Sequence, residues 1–153
     1  MPAGVIRSIL QEFKGDIEHG SGAMADEIAC CEYDLGVRFV GSFADYLQTY
    51  GWLRVGTNEI YGLGAKIRFW CRLKEMTLSE RTEMRPPLPP YLVTFYNDGF
   101  GNQHCLDSRD VVNGEQRIVF WNHEAGPDQT PEPLAHSFAD WLRQLIAAEP
   151  NSD

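Results

Sequence analysis

Positive charge is scarce in this chain: 13 Lys and Arg stand against 22 Asp and Glu, a formal net charge of −9. A phosphate backbone rewards cations and repels carboxylates, so this balance argues against nucleic acid or an anionic membrane as the partner and suits a basic one. Long apolar runs are missing too. No stretch reaches the roughly 18 apolar residues of a spanning helix, and Gln11, Glu12 and Lys14 come too early for a signal-peptide core, so a cytoplasmic protein is expected. Cys30, Cys31, Cys71 and Cys105 form neither a CxxC pair nor the even spacing of a secreted scaffold. They read as reduced, half-buried thiols.

Catalytic patterns are equally sparse. There is no GxSxG, and Gly62-x-Gly64 is too short for a dinucleotide or phosphate loop. Nothing favours a Ser or Cys triad, although one assembled from distant segments stays open. His104, Cys105, Asp107 and His123 have zinc-ligating chemistry, but zinc needs three or four converging ligands, and neighbours on a strand face opposite ways. The turn around Asp98 and Asn102 lacks the alternating oxygens and bidentate Glu of a calcium loop. No metal, no cofactor and no enzymatic activity are expected.

What is present suits one domain. At 153 residues and 43% hydrophobic, the chain can bury about 70% of the surface its unfolded form exposes. Val5, Ile6, Ile9, Leu10 and Phe13 recur at helical spacing, and the Gly-rich segment after Gly15 reads as a flexible loop. A second helix over 23–35 carries Ile28, Cys31 and Leu35 on one stripe and ends at a left-handed Gly36. A third opens on a Ser42/Asp45 capping box, presents Phe43, Tyr46, Leu47 and Tyr50 to the core, and stops at Gly51. Residues 58–63 read as a strand, with Gly62 and Gly64 marking a turn or bulge, and residues 67–84 as a fourth helix. The proline block 85–90 reads as a rigid connector rather than a PxxP ligand. Ser137 caps a last helix whose face is Phe138, Trp141, Leu142, Leu145 and Ile146.

The segment 97–124 is the most informative. Asn97-Asp98-Gly99 and Asn113-Gly114 are two-residue hairpin signals, because Asn and Gly tolerate positive φ. With strands at 92–96, 102–106 and 116–122 they predict a three-stranded antiparallel meander. Asp98, Asp107, Asp110, Glu115, Glu124 and Asp128 lie in or beside its turns, with Arg109 and Arg117 as the local cations. Ordinary solubility charge accounts for any one of these acids. Together they suggest a binding surface.

The order of motifs resembles the SUKH superfamily, the Smi/Knr-type proteins. The resemblance rests on Leu35-Gly36-Val37, GSFADYLQTYG at 41–51, EIYGLG at 59–64, LPPYLVTFYNDGFGNQHCLD at 88–107, IVFWNHE at 118–124 and SFADWL at 137–142. It spans roughly 23–146, and one departure is Phe39-Val40, where the family usually has Leu-Pro. It implies a single α+β domain over 1–153, with an antiparallel sheet flanked by helices, acting as a non-enzymatic binding module. It further implies an immunity protein that neutralises a cognate toxin domain, such as a nuclease or deaminase of a polymorphic or contact-dependent toxin system. The alternative is a regulatory scaffold of the Smi/Knr type. Candidate partner contacts are Glu59, Tyr61, Asp98, Asn102, Asp107, Asn122 and Glu124, with Tyr61 equally suited to the core, while Phe120, Trp121, Phe138 and Trp141 are assigned to packing.

Overall fold

In the computed structural model, which describes residues 2–149, two antiparallel sheets and five α-helices form a mixed α+β domain. Helix α1 (Pro2–Gln11), strand β1 (Ile17–His19), and helices α2 (Ala25–Leu35) and α3 (Gly41–Thr49) come first. Strands β2 (Leu53–Val55) and β3 (Asn58–Ile60) complete a small sheet of order β1-β2-β3. After a 3-10 turn (Phe69–Cys71) comes α4 (Leu73–Thr82). The larger sheet has the order β4 (Leu92–Asn97), β5 (Gln103–Val112), β6 (Glu115–Trp121), β7 (Glu132–Ala135), and α5 (Phe138–Ala148) follows.

Strand alternation gives the larger sheet two apolar faces. Val93, Phe95, Leu106 and Ile118 join the main core beneath α1, α3 and α5. Phe43, Tyr46, Phe95, Phe138 and Trp141 form its aromatic centre, with ring centroids 4.7–5.7 Å apart in the edge-on and offset arrangements aromatic quadrupoles favour. On the opposite face Leu92, Cys105, Val119 and Trp121 pack with Leu88 of the proline segment. That segment is therefore a connector whose one leucine helps close a second core. Phe120 is half-buried, its ring centroid 5.7 Å from that of His104.

Several local readings hold. Gly36 sits at φ 70° after α2, Ser137 Oγ accepts from Asp140 N at the start of α5, and Asn113 and Gly114 both take positive φ in the tight β5–β6 turn. Others are corrected. The Asn97-Asp98-Gly99 turn is not a two-residue hairpin: Asn97 pairs with Gln103, and a loop over 98–102 is organised by Asp98 Oδ1, which accepts from Phe100 N and Asn102 N. The meander has a fourth strand, β7, beyond the three expected, and the Gly-rich loop after α1 contains β1. The fourth helix starts later, because Phe69–Cys71 turns as a 3-10 helix and Gly62 bridges to Arg72.

The entry to α3 differs most from expectation. Ser42 does not form a capping box; Val40 is the N-cap residue, and the cap comes from the β5–β6 hairpin. Glu115 accepts from Ser42 N at 3.1 and 3.0 Å and from Ser42 Oγ at 2.8 Å, while Gln116 Oε1 accepts from Val40 N. A carboxylate at a helix N-terminus satisfies free N–H groups and meets the positive end of the helix dipole. Gly41 permits this approach, since a Cβ there would lie 2.5 Å from the Gly114 carbonyl oxygen.

Candidate partner-binding site

At one end of the larger sheet Asn97, Gln103 and Trp121 are aligned across β4, β5 and β6. The loops that leave this end bring most of the candidate contacts together. Glu59 in the middle of β3, Tyr61 just after that strand and Asp98 after β4 line one cavity of about 290 Å³, together with Asn58, Trp70 and Tyr96. Tyr61 N donates to Phe95 O, which ties β3 to the edge of the larger sheet. The Tyr96 hydroxyl donates to Asn58 Oδ1 at 2.6 Å, and Asn58 Nδ2 is enclosed without a partner. The Tyr61 phenol is pushed up by burial, then by the nearby Cys71 and the carboxylates of Glu80 and Glu59, so it stays a neutral hydroxyl.

Trp70 forms the outer wall. Its indole Nε1 donates to both oxygens of Glu59 at 3.1 Å, which holds the carboxylate beside the ring. Trp70 is 54% exposed and its chain neighbour Phe69 68%, and Phe100 in the β4–β5 loop is 80% exposed. Sequence reasoning missed this aromatic rim because Phe69 and Trp70 fall inside the stretch read as helix. The unusual Arg68-Phe69-Trp70 run was the signal available.

Asn102, Asn122 and Glu124 lie in the adjoining turns. Asn102 Nδ2 donates to Asp98 Oδ2, and Asn102 Oδ1 accepts from His123 N, so one side chain links the β4–β5 loop to the segment after β6. Asn122 Oδ1 accepts from Glu124 N, and Gln129 bonds both the N–H and the carbonyl of Asn122. Six of the seven candidates thus share this end of the fold. Asp107 does not. It pairs with Leu92 toward the other end of the strands, is buried, and accepts from Arg109 N and the Arg109 guanidinium. Its carboxylate organises β5 and is not part of the acidic surface. Glu115 has likewise left that surface to cap α3.

Reactive groups elsewhere are quiet. Burial pushes the Cys31 and Cys71 thiols up to about 12 and Cys105 higher still, so they are protonated and weakly nucleophilic near neutrality. Among the described residues, no group of three or more His, Cys, Asp and Glu is placed to hold a metal ion. No helix among them is long and apolar enough to cross a membrane.

The SUKH family described as SMI1-KNR4 cell-wall matches residues 25–142, more than half of the chain. The chain belongs to this SMI1-KNR4 family. A crystal structure of a protein from Pseudomonas syringae pv. tomato has the same fold, with a TM-score of 0.67 over 95% of this chain and 98% of that one. At 14% identity that likeness speaks for the fold alone. No curated protein matches the chain. The family match runs from the start of α2 into α5, so it includes β3, the Trp70 turn and the β4–β5 loop.

Proposed function

We propose that this SMI1-KNR4 family member is an immunity protein that binds a cognate toxin domain and neutralises it without chemistry of its own. The observation that carries the reading is the end of the sheet where Glu59, Tyr61 and Asp98 share a cavity with half-exposed Trp70, while Phe69 and Phe100, the chain neighbours of lining residues Trp70 and Gly99, are exposed. Exposed aromatics beside carboxylates suit a protein interface, where aromatic anchors supply area and charge supplies orientation. A toxin acting on nucleic acid is cationic around its own site, and a chain of net charge −9 complements it. Buried, protonated thiols and turn-bound carboxylates favour binding over catalysis.

The test is to read the gene beside this one and co-express any toxin domain it encodes with this chain. Growth restored by the wild-type chain and a stoichiometric complex on gel filtration are expected. Continued killing, with no complex from the purified proteins, would remove the reading and leave the second one, a regulatory scaffold, which the family description SMI1-KNR4 cell-wall favours.

A further inference from the structure

We propose that the cavity between β3, the Trp70 turn and the β4–β5 loop is a socket for one arginine side chain of the partner protein. This rests on the reading of the chain as a toxin-binding module and names the group that the module grips.

Larger cavities exist, but they mix charges. The one between β7 and α5, about 550 Å³, is lined by Arg117 and Arg143 as well as Asp140, and the one beside α2, about 560 Å³, by Arg72 and Lys74 as well as Asp26, Glu27 and Glu75. A charged group entering either meets both signs. The socket differs: the charged residues that line it, Glu59 and Asp98, are both acidic, and Tyr61, Trp70 and Tyr96 line it as well.

That combination selects a cation with a flat face. A guanidinium stacks on aromatic rings and forks its N–H groups onto carboxylates, whereas an ammonium is a compact, strongly hydrated point charge. The carboxylates are already positioned. Glu59 is held against the indole by the two bonds from Trp70 Nε1, and Asp98 is fixed by Phe100 N, Asn102 N and Asn102 Nδ2. Asp98 Oδ1 already accepts two bonds, but Asp98 Oδ2 and both Glu59 oxygens accept one each and have a lone pair to spare, so an incoming guanidinium need not displace a protein donor. Little side-chain freedom is left to lose, which favours binding. Phe69 and Phe100 are exposed and are the chain neighbours of the lining residues Trp70 and Gly99, so they offer apolar surface to the rest of the partner.

The experiment is a 1H–15N titration of the full chain with N-acetyl-arginine amide, its neutral citrulline analogue and N-acetyl-lysine amide. Of the four tryptophans, Trp70 alone lines the socket, and its indole N–H signal reports on it. A saturable shift of that signal with the arginine compound is expected, with the Trp52, Trp121 and Trp141 signals still. Glu59→Gln should weaken the binding about tenfold or more, and Asp140→Asn, in another cavity, should leave it unchanged. No shift at the solubility limit, an equal response to citrulline or lysine, or indifference to Glu59→Gln would overturn the proposal.

Failure here and failure of the immunity reading are separable. If Trp70→Ala, at an exposed position, still protects cells fully, the toxin docks elsewhere and immunity stands. If the arginine compound binds while the neighbouring toxin is never neutralised, the socket stands and immunity falls.

Discussion

The Trp141 indole Nε1 donates a 2.8 Å hydrogen bond to His104 Nδ1. That nitrogen must offer a lone pair, so the imidazole is neutral with its proton on Nε2. Tyr96, Phe120 and Trp141 surround the ring. Burial lowers the His104 pKa from 6.5 to about 4, and the Asp98 charge only partly opposes it.

The first prediction follows from the sign of that displacement. Between pH 6.5 and about 4 the unfolded chain protonates this histidine and the folded chain does not, so stability falls as pH falls through the window. The loss from this group should be about 2 kcal/mol by pH 5. Urea unfolding at pH 7 and pH 5 measures it. His104→Gln keeps an acceptor for Trp141 and should flatten this part of the profile; an unchanged slope would mean that other groups set the acid sensitivity.

A second prediction concerns the face of the sheet away from α1, α3 and α5. Trp121 is 2% exposed and packs with Leu88, Leu92, Cys105 and Val119. Trp121→Ala should cost about 3–5 kcal/mol and lower the melting temperature markedly. Partner binding would then fail through unfolding. A variant of wild-type stability that had lost the partner would instead make Trp121 an interface anchor.

The third prediction tests the cap that reaches α3 from the hairpin. Ser42 Oγ donates to Glu115 and accepts from Ala139 N at 3.0 Å, joining α3, β6 and α5 at one buried hydroxyl. Ser42→Ala leaves the Ala139 N–H without its acceptor and should cost about 1–3 kcal/mol. Adding Glu115→Gln to Ser42→Ala should cost less than the two single effects summed, because both remove the same contact. Additive losses in calorimetry would show that the residues act separately.

Elements with their own local signal were legible in the sequence. α2 and α5 carry an apolar stripe and a cap each, and Asn113-Gly114 supplies both positive φ values of its turn. β1, β2 and β7 are three or four residues long and carry no period of their own. Ile17 becomes a strand residue because Val55 pairs with it from far along the chain. The site divides the same way. Glu59, Asp98 and Asn102 could be picked out as acids and turn residues near strand ends. Asp107 escapes that logic because β5 runs ten residues, through Val112, and carries it to the far end of the sheet. The Trp70 wall depends on a tight fold-back at Gly62, where any Cβ would collide with the Gly51 carbonyl, and no local pattern announces that contact.

The final prediction concerns encounter with the toxin. At about 0.15 M ionic strength the Debye length is roughly 8 Å, so charges attract a partner from a distance only while salt is low. Raising salt should therefore slow association and leave dissociation less affected. Glu59→Gln with Asp98→Asn removes two charges at the socket, and the amide oxygen that Asp98→Asn introduces can still accept from Phe100 N and Asn102 N. This pair should reduce both the association rate and its salt dependence. Glu12→Gln with Asp26→Asn removes the same charge from exposed positions on other parts of the surface and is the control. Asp107 and Glu115 stay out of both sets, because Asp107 is buried and paired with Arg109 and Glu115 caps α3. Surface plasmon resonance across a salt series separates the cases. If both double variants lose association rate equally, net charge alone steers the complex; if neither does, the acids serve solubility and apolar contacts hold the partner.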